Sequence, residues 1–396
     1  MSLSKRLHVL FIRVSSPLVW GLAALAGIGF ILFYRLGSLV PGWSQAELSF
    51  LNQSRTFKGI LNNPLNAPYK LAQLALILLH HEGPIAMRSL SALIGLTSIA
   101  LFYYVIRKWH TTRVALMSVV LLATSSWFLG YARVALPAIL YTFLIAALAY
   151  GTWLRSTKKS ALALFVGAAL AVFLIYIPGL VWFVLVAGVW QRKAIFAHYK
   201  DRSVLGFLAI IMGCVLLLPL IYGLVMHPQL TRSFAGLPLL HWPSVLTVCK
   251  NILYVPYHLA VHSGLNPVFG LSNLPLLDIF TLAMAVLGIY AYFFRRQLDR
   301  TKLLLGSIIL GVALISLGGG VEIVILLPFI YLFAAGGITL MLQQWFTVFP
   351  LNPLARIVAT TLMTVIVLMA SFYHINRYFV AWPNAPITKQ TFHIHS

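Results

Sequence analysis

Acidic side chains are the residues of this chain most able to do chemistry, because the chain has so few of them. Its 396 residues include 6 Asp and Glu against 28 Lys and Arg, which gives a formal net charge of +22. Glu47 lies in the first polar interruption after the first long apolar run, in segment 41–70 (PGWSQAELSFLNQSRTFKGILNNPLNAPYK). A carboxylate just past a helix end, at a membrane face, could serve as a general base. The alternative interpretation is an amphipathic surface helix that keeps Glu47 in water.

The other candidate groups have structural interpretations beside the functional ones. The run His80, His81, Glu82 suggests a metal site, but adjacent residues on a helix point in different directions, so we expect no metal there. Asp278 opens an apolar run, where an acid favours the helix dipole, and we predict a capping role for it. Histidines and aromatic residues of a later loop suit either sugar stacking or a membrane surface: His241, Trp242, Tyr254, Tyr257, His258 and His262.

The composition indicates a membrane protein. The chain is 61% hydrophobic and its mean hydropathy is +0.94. Several apolar runs reach about 18 to 20 residues, enough to cross a hydrocarbon core of about 30 Å. Because backbone amides inside lipid must be satisfied internally, these spans are expected to be helices. The fold class that we predict is therefore all-α, in a polytopic membrane protein.

We predict about eleven spans in one membrane domain, 1–396. A long first loop, 37–85, contains pieces too short or too polar to cross, which we interpret as interfacial helices. A second long loop covers 227–273, and a tail covers 374–396. The spans are expected at about 17–36, 86–106, 114–131, 136–154, 160–176, 178–190, 203–226, 274–294, 303–317, 321–342 and 357–373.

Charge placement predicts the orientation. With a cytoplasmic N-terminus, cytoplasmic segments hold 18 Lys and Arg and external segments hold 10, as the positive-inside rule requires. The C-terminus and both long loops are then external, in a cell membrane. The cations form short clusters between apolar runs, so we expect contact with membrane lipid and no nucleic acid partner. The triplet Gly318–Gly320 lacks the Lys and Ser/Thr of a phosphate loop, and we expect no cofactor.

An ordered set of motifs points to a known family. Segment Met87–Tyr150 has Arg88 opening a span, a basic turn at 107–113, the run LLATSSW at 121–127, and then Arg133. It resembles the protein-mannosyltransferase-like branch of the GT-C glycosyltransferases, of the family 39 and lipid A aminoarabinose transferase type. Further segments have counterparts there in the same order: 42–47 (GWSQAE), 66–71 (NAPYKL), 274–278 (LPLLD), 328–336 (PFIYLFAAG) and 377–383 (RYFVAWP).

The resemblance implies a GT-C fold and a transfer reaction on the external face. A sugar would pass from a polyprenyl-phosphate donor to a protein, lipid or glycan acceptor. Arg and Lys would stabilise the leaving phosphate, and Glu47 would be the catalytic base. The substrate-binding residues are then expected to be Arg133, Lys70, Tyr69, Arg88 and Glu322.

Three positions differ from the family pattern, and one is Glu322, which stands near where relatives often carry a basic residue. Ala46 stands where the family carries the first acid of a pair, and segment 134–140 contains no carboxylate after Arg133. Glu47 could have taken over as base, with Glu322 in reserve. The alternative is a catalytically inactive relative that binds or presents lipid-linked sugars. An ion-coupled transporter is disfavoured, because the span centres contain essentially no ionisable residues.

Overall fold

The computed structural model of the protein describes residues 17–156, 161–201 and 203–393. These residues form helices and no sheet. The predicted cytoplasmic N-terminal tail lies outside the described residues. The α-helices are α1 Pro17–Phe33, α2 Gln45–Ser54, α3 Phe57–Asn62, α4 Ala67–Leu78, α5 Pro84–Trp109, α6 Thr112–Thr124, α7 Ser126–Ala132, α8 Leu144–Ser156, α9 Ala161–Ile175, α10 Leu180–Asp201, α11 Ser203–Met226, α12 Leu230–Ala235, α13 Val245–Ala260, α14 Ile279–Phe293, α15 Asp299–Ser316, α16 Leu327–Val348, α17 Pro353–Asn376, α18 Trp382–Asn384 and α19 Pro386–Thr391.

Three tighter or wider helical turns connect some of these elements. Two are 3-10 turns, at Pro137–Phe143 before α8 and at Ile323–Leu326 before α16, and Arg377–Ala381 forms a π-helical turn after α17. As a result α17, the π-helical turn and α18 form one helical segment, Pro353–Asn384, whereas the sequence predicted the last span to end at residue 373. The helix thus extends into the segment that the sequence analysis assigned to the tail, 374–396.

The helical membrane class is confirmed for the described residues. Six helical segments are long and apolar enough to cross a membrane, and α6 with α7 would make a seventh if that pair, bent by 61°, is one span. The other predicted spans coincide with α1, α9, α14 and α15. These helices are too short or too polar to be counted as membrane-crossing by length and composition. The six segments are Pro84–Trp109, Pro137–Ser156, Leu180–Ala197, Val204–Met226, Ile323–Val348 and Pro353–Asn384.

The most enclosed span is α16, which packs closely along α14. A Cβ placed on Gly288 of α14 would lie 1.8 Å from the carbonyl oxygen of Phe333, and one on Gly337 would lie 2.0 Å from that of Met284. Only glycine allows backbones to approach this closely, as small residues do in many membrane helix pairs. This close contact fixes α14 against α16.

Side-chain caps begin several helices where the sequence predicted a start. Asp278 is the N-cap of α14, and its Oδ1 accepts a hydrogen bond of 3.0 Å from the Thr281 backbone N–H. The capping prediction for Asp278 is therefore confirmed. Ser44 begins α2 with a reciprocal capping box that includes Glu47, an arrangement that satisfies two of the free N–H groups at a helix start.

The first predicted external loop is helical over most of its length. The two predicted interfacial helices correspond to α2 and α4, with the short α3 between them. Helices α2 and α4 are joined by a hydrogen bond of 2.7 Å from Ser54 Oγ to Gln73 Oε1, and both residues are buried. The loop is thus a packed layer over the end of the bundle that the charge bias predicts to be external, which we call the external end.

Candidate external site around Glu47

Glu47 is completely buried and every acceptor position of its carboxylate is used. Oε1 accepts from Arg88 Nε and from the Ala135 backbone N–H, both at 2.9 Å. Oε2 accepts from Arg88 Nη2 at 3.0 Å, from the Ser44 N–H at 3.0 Å and from Ser44 Oγ at 3.2 Å. A carboxylate has about four lone-pair sites, so none is left for an acceptor substrate. The interpretation that α2 keeps Glu47 in water is wrong, because its exposed fraction is 0%.

Arg88 completes the pair from the opposite side. Besides both Glu47 oxygens, its guanidinium donates to the carbonyl oxygens of Gly42, at 2.7 Å, and Leu36, at 3.5 Å. It also lies over the rings of Trp43, at 5.8 Å, and Phe392, at 5.6 Å. We call Glu47 and Arg88 with these contacts the buried clamp. It joins α2, α5 and the segment after α7. Four of the five N–H donors of Arg88 are used within it, and the side chain is buried.

Ala46 occupies the outward-facing position beside the clamp. Consecutive helical residues point in different directions, and here Ala46 is exposed while Glu47 is buried. An acid at position 46 would therefore have faced the solvent-accessible side of α2. The carboxylate that this chain retains is the one enclosed by protein.

Arg133 supports the end of α1. Its guanidinium donates to the carbonyl oxygens of Leu32, at 3.1 Å, Tyr34, at 2.6 Å, and Ile31. These carbonyls lack helical partners because α1 ends there. The guanidinium also lies 4.6 Å from the centre of the Phe379 ring, and burial lowers its pKa. The predicted phosphate-binding role is thus not visible in this arrangement, since Arg133 is 3% exposed.

Lys70 and Tyr69 lie apart from the clamp, on α4. Lys70 Nζ donates to the carbonyl oxygen of Asn63 at 2.7 Å and lies 5.4 Å from the centre of the Phe50 ring. Burial lowers the pKa of Lys70 to about 8. The Tyr69 hydroxyl shares a hydrogen bond of 2.6 Å with Ser91 Oγ. Both side chains are buried. Tyr69 links the first loop to α5, and Lys70 holds the loop's own segments together.

Glu322, at the external end, keeps most of its acceptor capacity unused. It is half-buried, directly before the 3-10 turn that leads into α16, and it accepts one hydrogen bond, of 3.3 Å, from the Tyr131 hydroxyl. Burial raises the pKa of its carboxyl above the usual value. The other accessible external acid, Glu82, forms a surface ion pair of 3.1 Å with Arg55.

A hydrogen-bonded serine, histidine and aspartate lie nearby, and the sequence analysis did not find them as a group. His374 Nδ1 is 3.0 Å from Ser126 Oγ, and its Nε2 is 2.9 Å from Asp278 Oδ2. Such an arrangement can activate a serine hydroxyl. The adjoining cavity is only about 10 Å³, however, enough for one water at most. The three residues are far apart along the chain, so no local spacing could have indicated them.

A larger cavity opens beside the clamp. Its volume is about 450 Å³, and its lining contains two cations and no carboxylate among the described residues. Arg35, at the end of α1, and Lys389, on α19, supply the cations. Neither was singled out from the sequence, where each was one of ten external Lys and Arg. The lining is Arg35, Ser38, Leu39, Pro41, Phe379, Pro383, Asn384 and Lys389.

The two possible roles of this end of the molecule are anion binding and proton transfer. The cavity at Arg35 and Lys389 could hold a phosphate, and Glu322 could accept a proton. Within the described ranges, no group of three or more His, Cys, Asp or Glu could hold a metal ion.

No protein-family model matches the sequence, and neither curated proteins nor solved structures give a match.

Proposed function

We propose that the chain is a GT-C-type membrane protein with about eleven spans that transfers a sugar from a polyprenyl-phosphate donor to an acceptor on the external face. Support comes from the ordered family motifs and from a helix in each of the eleven predicted intervals. The distribution of Lys and Arg supports an external orientation of the site.

The cavity lined by Arg35 and Lys389 is our proposed site for the donor phosphate. Both side chains can donate charge-assisted hydrogen bonds, which are stronger than neutral ones. Exposed aromatic side chains stand beside this cavity: Phe30 on α1 is 66% exposed, and Tyr34, just after α1, is 47% exposed. The isoprenoid chain of a donor would lie along this apolar face while its phosphate reaches the cations.

The observation that carries the transfer proposal is the state of Glu322. An acceptor hydroxyl or amine must lose a proton, and a general base works best when its pKa approaches the operating pH. Burial moves the pKa of Glu322 in that direction. It also has one hydrogen-bond donor, whereas Glu47 has five. We therefore assign the role of general base to Glu322. The sequence had led us to expect Glu47 in this role.

A second candidate function is binding or presentation of lipid-linked sugars without transfer. It is favoured by Ala46, the exposed residue at the place where the resemblance leads us to expect an acid, and by the enclosure of Glu47. In this case the donor site would be the same and no base would be needed.

The test compares donor binding and sugar release in purified protein with a panel of polyprenyl-phosphate sugars. Glu322→Gln keeps the shape of the side chain and is expected to lower turnover by about 10²- to 10⁴-fold, the usual contribution of a general base. Donor binding should be unchanged. Glu82→Gln, at an exposed external acid, is the matched control. Arg35→Ala with Lys389→Ala should weaken donor binding, whereas Lys58→Ala, at an exposed external cation, should not.

Three outcomes separate the proposals. Turnover by the wild type that is lost in Glu322→Gln supports transfer with this base. Binding without any turnover supports the presentation function. If Glu322→Gln turns over at the wild-type rate, the assignment of the base is wrong.

A further inference from the structure

A second polar cavity lies at the opposite end of the bundle, which the charge bias predicts to be cytoplasmic. Its volume is about 500 Å³, within the range of about 300–1,000 Å³ typical of small-molecule sites. It lies between the turn that joins α5 to α6, the end of α14, the start of α15 and the second half of α16. The lining is Trp109, His110, Thr111, Tyr290, Ala291, Tyr292, Phe294, Arg295, Arg300, Gly336, Thr339, Leu340, Gln343 and Gln344.

His110 forms a fixed and neutral wall of this cavity. The Thr339 hydroxyl donates to the carbonyl oxygen of Ala335 at 2.8 Å, so its oxygen accepts from His110 Nδ1, also at 2.8 Å. His110 Nε2 must then accept from the Tyr292 hydroxyl at 3.0 Å. Burial, with the charges of Arg300 and Arg295, lowers the pKa of His110 to about 4. The imidazole is therefore uncharged at neutral pH, and both of its nitrogens are used within the protein.

The two arginines of the cavity have no acidic partner within the described ranges. Their charges are close enough to His110 to lower its pKa. Arg300 Nε is buried and has no hydrogen-bond partner. The neighbouring acid, Asp299, faces Arg155 at 3.8 Å instead. Arg300 is half-buried and Arg295 is exposed. Two neighbouring cations without a counter-charge favour the binding of an anion.

We propose that this cavity binds a phosphate-bearing anion through Arg295 and Arg300, with the side-chain amides of Gln343 and Gln344 as further donors. Guanidinium groups match the geometry of phosphate oxygens with two parallel hydrogen bonds. The proposal does not depend on the function of the external end. The anion could be the headgroup of a membrane lipid or a soluble phosphate.

The surroundings of the cavity favour the lipid source. Tyr290 is 57% exposed and Phe294 is 69% exposed, on the same helix end as Arg295. Aromatic residues beside basic ones are typical of a membrane–water interface, and basic pockets between spans bind anionic headgroups. A headgroup in the cavity would leave its acyl chains beside these exposed rings.

The experiment measures lipid retention by native mass spectrometry, from nanodiscs of phosphatidylglycerol mixed with phosphatidylcholine. We expect the wild type to retain phosphatidylglycerol and Arg295→Gln/Arg300→Gln to retain at least about 10-fold less, as expected when two charged hydrogen-bonding groups are lost. Arg296→Gln is the matched control, because Arg296 is on the same turn, lies over the Phe293 ring at 5.7 Å and does not line the cavity. Gln343→Ala/Gln344→Ala is a milder variant, should the double arginine variant fail to fold.

A second arm distinguishes the two sources of phosphate. In detergent, inorganic phosphate should raise the melting temperature of the wild type, and not that of the double arginine variant, if the ligand is a soluble phosphate. Selective phosphatidylglycerol retention without this shift identifies a headgroup site. Equal retention by wild type and cavity variants, with no stabilisation by inorganic phosphate, would overturn the proposal.

Discussion

Removing one member of the buried clamp should destabilise the protein more than any surface change. Glu47→Gln would leave the Arg88 guanidinium inside the protein without a counter-charge. The pair has contacts of 2.9 and 3.0 Å, and the two side chains are 0% and 2% exposed. Breaking such a pair costs about 3–5 kcal/mol. That loss corresponds to about 10²- to 10⁴-fold in the folding equilibrium, since about 1.4 kcal/mol is a factor of ten.

A double-mutant cycle with Glu47→Gln, Arg88→Met and the combined variant isolates the pair. The measurements are the midpoint of chemical denaturation and the melting temperature in one detergent. Each single variant leaves a polar group unpaired, so we expect the double variant to lose less than both single losses together. The coupling free energy of contacting residues is about 0.5–3 kcal/mol. Glu82→Gln is the control, because its exposed pair with Arg55 should contribute at most about 1 kcal/mol.

One result would refute this account of Glu47. If Glu47→Gln has the stability of the wild type but loses sugar transfer, then Glu47 acts as the base and its contacts with Arg88 are not structural. Additive losses in the cycle would also contradict a direct clamp, since they would show that the two residues act independently.

Three further predictions concern other parts of the molecule. Arg133→Met should lower the free energy of unfolding by about 1.5–3 kcal/mol, the value of hydrogen bonds to a charged group. Arg35→Ala, just after the end of α1 that Arg133 supports, should change thermal unfolding little. For Asp278, burial alone would raise the pKa, but hydrogen bonds from His374 and Thr281 outweigh it and lower the pKa below its usual value. Its stabilising contribution should therefore be complete above the unfolded pKa of about 3.9 and be lost as pH falls through the lower folded pKa. Melting curves against pH should show this loss in the wild type and not in Asp278→Asn. A reporter fused after Ser396 should be active only outside the cytoplasm; activity inside would reverse the assignment of both ends.

Local features of the sequence predicted local features of the structure. Apolar length predicted the helical spans, and the polar residue before an apolar run predicted the Asp278 cap. The first loop was correctly divided into short helices, because α2 and α4 each have too few apolar residues to cross. Each of these features depends on residues within one or two turns of each other, which is the range over which sequence periodicity is informative.

The environment of Glu47 could not be predicted in the same way. Its partners Arg88 and Ala135 are on other elements, and their approach depends on how α2, α5 and α7 pack. The same sequence is compatible with a solvent-facing and an enclosed carboxylate. Arg35 and Lys389 were missed for the same reason: they are brought to one cavity only when the end of α1 meets the segment after α17.

The position of Phe392 has a consequence for the order of folding. Its ring is fully buried over Arg88 and makes an edge contact of 5.6 Å with Trp382. The clamp is therefore built from residues translated early but covered by a residue translated about 300 positions after Arg88. Contacts between such distant parts of a chain form slowly, so the first loop must pass through assembly with its ion pair uncovered. Until Phe392 packs there, the Arg88 guanidinium lacks this ring contact, and a bulky group attached near Phe392 would prolong that stage.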